Sequence, residues 1–515
     1  MRFASLACVF FALLGVSSRG EADVLRVMLA AADDQAGGTP PPQQSPDLTS
    51  WAGEARATTL PELLQISIRQ SPALQSAKLD IAIAEARIQQ TWARNDWLLR
   101  AQLTGSGLTD GSSVQLGGTV DLSRALPTGG TVALHGNTAY SRTETELPEP
   151  INMTITSRGW GEEVSGSITQ PLLRGRGRTL FEANEARATL ARDAAVLARR
   201  LAAVQTVQAV IAAYWDLVLA ERSVAITRGS LDLARERLRV TTIGADGGKI
   251  PRSEIPAVLQ IIATREEDVL NGELGVLDRS IALRRTAGMP IGAGELGLRV
   301  ATDVETKEQP LDLGQLVERA YTASPELAQL AKQDASATID IAVTENGLLP
   351  QLDLALSLGP SGSGLTFGDS WTDLVEFNTL SIGGSLTFTQ SLGRNDVRGR
   401  AREQRELKRK LAVNAVDIRS QIAQTMTRAV AQLELARRRV TLSQRAIDLA
   451  NENIKIETDR FNLGKSTNFD VLNRLEELRQ AELRKTQALI DWHKAEIVVQ
   501  ALTGDILPAY GIALD

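Results

Sequence analysis

Ser230-Leu231-Asp232-Leu233-Ala234-Arg235-Glu236-Arg237-Leu238 recurs as Ala446-Ile447-Asp448-Leu449-Ala450-Asn451-Glu452-Asn453-Ile454, 216 positions further on. The match runs without a gap over 230–256 and 446–472. It carries Gly248-Lys249 onto Gly464-Lys465 and Glu254-Ile255 onto Asp470-Val471. Ala287-Gly288 and Thr503-Gly504 keep the same offset. One long unit is present twice, so a duplicated body replaces the three or so domains that 515 residues would otherwise suggest.

Earlier in each copy a helix start repeats. Leu60-Pro61-Glu62-Leu63-Leu64 precedes Ser71-Pro72, and Leu313-Gly314-Gln315-Leu316-Val317 precedes Ser324-Pro325, at an offset of 253. Serine as N-cap with proline at the first helical position is a start signal. Thr169-Gln170 then matches Thr389-Gln390 at an offset of only 220, so the first copy holds 33 extra residues in between. These fall across Val114 to Ser141, around Leu126-Pro127-Thr128-Gly129-Gly130, and read as an extra hairpin or a structured external loop.

Between the helix starts and the long repeat the pattern has period two, the signature of strands. Leu352, Leu354, Leu356 and Leu358 alternate with Gln351, Asp353 and Ser357; Leu380, Ile382, Leu386 and Phe388 follow suit, as do Val114, Leu116, Val120, Leu122, Val132, Leu134 and Tyr140. A soluble sheet with one buried face fits this as well as a barrel in lipid. Trp97, Trp160 and Trp371 near strand ends favour the barrel. After each strand region, residues 178–243 and 394–459 show helical spacing without proline, each enough for roughly 100 Å of helix at 1.5 Å per residue. Glycine turns at Gly244–Gly248 and Gly464 reverse the chain into a second helix, giving two long antiparallel hairpins.

The start, Arg2 followed by an apolar run Phe3 to Val16 and Ser17-Ser18, reads as a secretory signal. No other stretch is expected to supply the roughly 20 apolar residues of a spanning helix, so insertion into a membrane must use strands. Cys8, the only cysteine, lies in that signal, with too little apolar sequence before it for a lipoprotein signal. Hydrophobic residues at 43%, charged residues at 23% and a net charge of −6 give no reason to expect nucleic acid, and aromatics at 4% suit long helices. The expected division is 1–18 signal, 19–58 lead-in, 59–288 first repeat with strands within 97–173 and a helical hairpin at 178–288. A linker at 289–310, a second repeat at 311–505 with strands within 349–392 and a hairpin at 394–504, and a tail at 506–515 complete it.

Five stretches carry a family resemblance: Gln170-Pro171-Leu172-Leu173-Arg174-Gly175 at a strand end, Ala213-Tyr214-Trp215-Asp216-Leu217 in a long helix, Arg460-Phe461-Asn462-Leu463-Gly464 followed by Asp470-Val471-Leu472, Asp491-Trp492, and Leu502-Thr503-Gly504. With the duplication and the helix–strands–helix order, the chain resembles the TolC-like outer-membrane efflux proteins over about 55–505. The resemblance implies an α+β membrane protein: a homotrimer whose strands share one outer-membrane barrel and whose helices form a periplasmic tunnel. It also implies a periplasmic adaptor and an inner-membrane pump or ABC transporter as partners, outer-membrane lipid around the barrel, and passive conduction without a cofactor.

By the same resemblance, Arg460, Leu463 and Gly464 map to the tip that docks the adaptor, with Gly248 their first-copy counterpart. There Gly244 stands for the arginine and Gly247 for the leucine, so the two tips should be unequal. Asp470 maps to a carboxylate ring at the tunnel constriction; a second aspartate is replaced by Asn473, and an arginine latch by Ser466. Taken alone, Asp470 also fits a charge at a helix N-terminus. The basic runs Arg174–Arg178 and Arg394–Lys410 open long helices and lack interleaved aromatics, which suits a solvated rim. With only His135 and His493 and no metal-ligand spacing, catalysis is not expected. The rival class is a periplasmic coiled-coil tether without a conducting barrel.

Overall fold

The computed structural model describes residues 57–109, 112–147, 153–248, 250–291, 299–300 and 312–513. The signal, nearly all of the lead-in, Lys249, most of the inter-repeat linker and the last two residues of the tail lie outside the described residues.

In chain order the elements are β1 (Ala57–Thr58), α1 (Leu60–Gln70), α2 (Pro72–Thr91), β2 (Leu98–Gly107), β3 (Ser113–Ala125), β4 (Thr131–Leu147), β5 (Met153–Pro171), α3 (Arg178–Phe181), α4 (Ala183–Asp246) and α5 (Glu254–Ala287). The second copy continues with β6 (Arg299–Val300), α6 (Leu313–Ala323), α7 (Pro325–Asn346), β7 (Gln351–Gly364), α8 (Phe367–Val375), β8 (Thr379–Thr389), α9 (Asn395–Asn462), α10 (Asn468–Thr503) and α11 (Ile506–Ala509).

The helix starts form where the cap residues stand. Thr59 and Glu62 make a capping box at α1, Asp312 accepts from the Gly314 and Gln315 amides at α6, and Ser324 accepts from the Leu327 amide at α7. Ser71 occupies the N-cap of α2 without a side-chain bond, its carbonyl taking the Gln75 amide instead. α4 and α9 run for 64 and 68 residues, slightly beyond the expected 243 and 459, and Glu182 separates the short α3 from α4. Each pairs with a shorter return helix, α5 of 34 residues and α10 of 36. Gly288 and Gly504 end them at φ +74 and +77, the left-handed conformation glycine adopts without a Cβ penalty. A Cβ on Gly288 would also meet the Gln70 carbonyl oxygen at 2.8 Å, so this end is fixed by a close approach as well.

The helical core lies where the hairpins meet. Val207, Val210, Ile211, Tyr214 and Leu217 of α4 are fully buried; Leu433 and Ala436 of α9 pack on Trp492 and Ala495 of α10; Met426 and Ala429 pack on Ala320 and Val499. One expectation is corrected here. α4 contains a window long and apolar enough, by length and composition, to cross a membrane. Half of that window is buried, because it supplies the contact face for the neighbouring helices rather than an all-round lipid surface.

All long strands form one antiparallel six-stranded sheet, β2-β3-β4-β5-β7-β8. The 33 extra residues of the first copy are therefore not an external loop. They supply β3 and β4, paired to each other from Ser113↔Thr143 to Ala125↔Thr131 and flanked by β2 and β5. In the second copy α8 fills the corresponding connection and lies on β7. Glycine permits this: a Cβ on Gly362 would fall 2.1 Å from the Ser370 carbonyl oxygen.

Candidate functional site: the two-faced sheet and the helix tips

The register makes the two faces of the sheet explicit. Leu99, Ala101 and Leu103 of β2 share a face with Leu116, Val120 and Leu122 of β3 and with Leu134 and Tyr140 of β4. Across β5 and β7 that face continues through Trp160, Ile168, Leu356 and Leu358, and reaches Ile382, Leu386 and Phe388 on β8. Much of it is open: Leu103 is 73% exposed and Ile382 78%. The opposite face carries Gln102, Thr104, Thr119, Asp121, His135, Asn137, Ser167, Ser357, Ser385 and Thr387. His135 sits there bonded to Asp121 through Nδ1.

Water on both sides would make so broad an open apolar face unfavourable, at roughly 25 cal/mol per Å². Lipid on one side and water on the other fits both faces. Strands of 10 to 19 residues reach or exceed the roughly 9–11 a tilted membrane strand needs. Aromatic rings stand towards both ends: Trp97 beside the helix-proximal end, with the Arg124 guanidinium 5.8 Å from its ring, and Trp160 touching both Tyr140 and Phe367 further out. Among the described residues, the first and last strands, β2 and β8, each have one unpaired edge in a single chain.

At the far ends of the hairpins, both turns close on glycine at positive φ, Gly248 at +70 and Gly464 at +68. Leu463 projects freely, 71% exposed, and Arg460 lies 3.8 Å from Glu457. In the first turn a Cβ on Gly244 would approach the Ile250 side chain to 2.5 Å, so an arginine there would have to displace that side chain. Thr467 and Asp470 form a capping box at the start of α10, with bonds of 2.7 Å from the Thr467 hydroxyl and 3.0 Å from its amide to the carboxylate. Ser466 adds a third donor at 3.2 Å. The Thr467 amide first, then its hydroxyl, with Ser466 and the Arg460 charge, hold the Asp470 carboxyl below its ordinary range. Asn473 is exposed one turn on.

The sequence reading missed a cluster that ties the two tips together. The Arg237 guanidinium stacks 3.9 Å over the Phe461 ring and donates to Asn468 Oδ1 at 2.7 Å; Asn468 Nδ2 donates to Glu254 at 2.6 Å. Burial lowers the Arg237 pKa, opposed by the Glu254 charge. A little further along, Arg265 of α5 pairs with Glu476 of α10, which Arg479 also holds at 2.7 Å. Burial pushes the Glu476 carboxyl up, but Arg479, Gln480 and Arg265 outweigh it and bring it down to about 2. The contacts of Arg237 with Asn468, of Asn468 with Glu254 and of Arg265 with Glu476 have no motif, because each joins residues more than 200 positions apart.

His493 is sandwiched, stacked on Trp215 at 4.1 Å and edge-on to Trp492 at 4.8 Å. Among the described residues no group of three or more His, Cys, Asp or Glu side chains could hold a metal ion. The basic rim residues meet local partners: Arg174 donates to Gln351 at 2.8 Å, and Arg405 to Glu345 at 2.6 Å.

Residues 316–505 match the family described as outer membrane efflux protein. The chain is similar to that family over this span, which is less than half of its length. Nodulation protein T of Rhizobium leguminosarum bv. trifolii is 20% identical over 334 residues, 63% of this chain and 68% of that protein. The outer-membrane channel OprN superposes with a TM-score of 0.64 at 13% identity, covering 90% of this chain and 98% of its own. The CmeC outer membrane channel of Campylobacter jejuni gives 0.63 at 14%, covering 91% and 94%. At these identities the structures establish the fold alone, a helical barrel with strands.

Proposed function

We propose that the protein is an outer membrane efflux protein, a homotrimeric exit duct that passively conducts cargo from an inner-membrane pump through a periplasmic adaptor to the exterior. The observation that carries the reading is the single sheet with an open apolar face, a polar face and two unpaired edges, continuous with two long helical hairpins. Unpaired edges in lipid leave backbone groups without partners, and rotational copies of the same chain supply them. The polar face then lines water, and the hairpins extend into the periplasm. A coiled-coil tether would have no use for the apolar face.

In this reading the tips dock the adaptor. The Arg460, Leu463 and Gly464 turn offers an exposed leucine beside a cation, whereas the Gly248 turn has Gly244 and Gly247 at the corresponding positions, so the two grooves of the assembly present different chemistry. Asp470 contributes the constriction with Asn473 beside it. Its lowered pKa keeps it anionic, and like charges gathered in a narrow ring attract cations.

The duct is tested by fractionation. The protein should sediment with outer membranes, require detergent, and migrate as an oligomer that collapses to monomer on boiling. A soluble monomer without detergent sinks the reading. For the constriction, single-channel recording of Asp470→Ala should show weakened cation block; an unchanged record removes Asp470 from the gate.

A further inference from the structure

We propose that β3 and β4 are staves of the membrane wall and that three copies close an eighteen-stranded barrel, wider than the twelve strands the duplicated unit alone would give. This rests on the trimeric duct proposed above. Each copy of the repeat contributes a strand after its second short helix and a strand before its long helix: β2 and β5 in the first, β7 and β8 in the second. Those four alone would build a twelve-stranded trimer. The inserted hairpin stands between β2 and β5 and leaves the outer edges of the sheet as they were.

Three observations make the hairpin part of the wall. Its pairing is continuous, β3 to β2 from Leu98↔Ser123 to Gly107↔Val114 and β4 to β5 from Thr131↔Thr169 to Leu147↔Met153. Its apolar residues Leu116, Val120 and Leu134 are exposed and in phase with Leu358 and Ile382 on the other side of the sheet. A loop outside the membrane would carry no such face. Finally, its inner turn is latched to the root of the first long hairpin: the Thr128 hydroxyl bonds Gln170 at 2.7 Å, and the Gly177 amide donates to the Thr128 carbonyl at 3.0 Å. The fit there is tight. A Cβ on Gly129 would fall 2.1 Å from the Gly175 carbonyl oxygen, and one on Gly130 would fall 2.7 Å from that of Thr169.

Strand direction is consistent with closure. The sheet alternates throughout and has an even number of strands, so β8 of one copy meets β2 of the next antiparallel. With strands about 4.8 Å apart and tilted by about 40°, eighteen strands give a barrel about 36 Å across, against about 24 Å for twelve. The duct would thus be widened at the membrane and pass bulkier cargo there.

The experiment is pulsed dipolar spectroscopy on the full chain carrying Cys8→Ser and Leu358→Cys, spin-labelled on the lipid face and purified as the native oligomer. In a threefold ring the label separation is the radius times the square root of three, so backbone positions lie about 31 Å apart for eighteen strands and about 21 Å for twelve. A separation near the larger value, plus the label arms, is expected. Replacing residues 113–143 by a short turn should shorten it by about 10 Å on the same geometry. The smaller separation in the full chain overturns the widened barrel while leaving the trimeric duct. Absence of any dipolar coupling overturns the duct itself.

Discussion

Arg237 shows how much of the tip is decided by single side chains. Its stacking on Phe461 and its bond to Asn468 join the end of the first hairpin to the turn of the second. Cation–π and charge-assisted hydrogen bonds of this kind are each worth about 1–2 kcal/mol when partly buried. Phe461→Ala should therefore leave the fold intact but speed amide exchange at both turns, 244–248 and 460–467; exchange rising at one turn only would place the link elsewhere. Thr467→Ala removes the N-cap of α10 and should cost about 1 kcal/mol of local stability, seen as faster exchange across 468–472. Of the residues named from sequence, Leu463 and Gly464 stand at the tip as exposed knob and left-handed turn, and Asp470 closes a capping box. Spacing placed them at a helix end. It did not reveal Arg237, because an arginine in a long helix has no local mark of its partner 224 positions away.

At the scale of elements, the pair of hairpins is pinned by the Arg265–Glu476–Arg479 cluster between α5 and α10. The Glu476 carboxyl is held near 2, below the ordinary 4.5. A depressed carboxylate contributes stability that is present above its unfolded pKa and is lost as pH falls towards the folded one. The hairpin contact should therefore weaken between about pH 4.5 and 2, read as increasing protease cleavage of α5 and α10. Glu476→Gln should be weaker at neutral pH and lose most of that acid dependence. The elements themselves were largely legible. Proline-capped starts, period-two strands and proline-free runs all mark local chemistry, and each appears where those residues stand. What sequence left open was the place of Val114–Ser141, since alternation shows a strand but not its neighbour. Pairing with β2 and β5 answers that. The apolar window of α4 was also misjudged, because composition alone does not separate a helix packed among helices from one facing lipid.

On the scale of the whole molecule, the account stands on the sidedness of the sheet. Ile382 and Ser385 are on one strand and opposite faces. Ile382→Arg should impede assembly into the membrane, since a cation on the lipid face near the midplane costs about 2–4 kcal/mol. Ser385→Arg should assemble normally and alter ion selectivity instead. Equal tolerance at both positions would mean that the faces are not lipid and water. The most direct measurement is the conductance of the purified native oligomer in a planar bilayer. Discrete ion-conducting steps, with selectivity moved towards anions by Ser385→Arg, are expected of a trimeric duct with a water-lined polar face. A preparation that inserts but never conducts, or whose steps ignore that substitution, would overturn it.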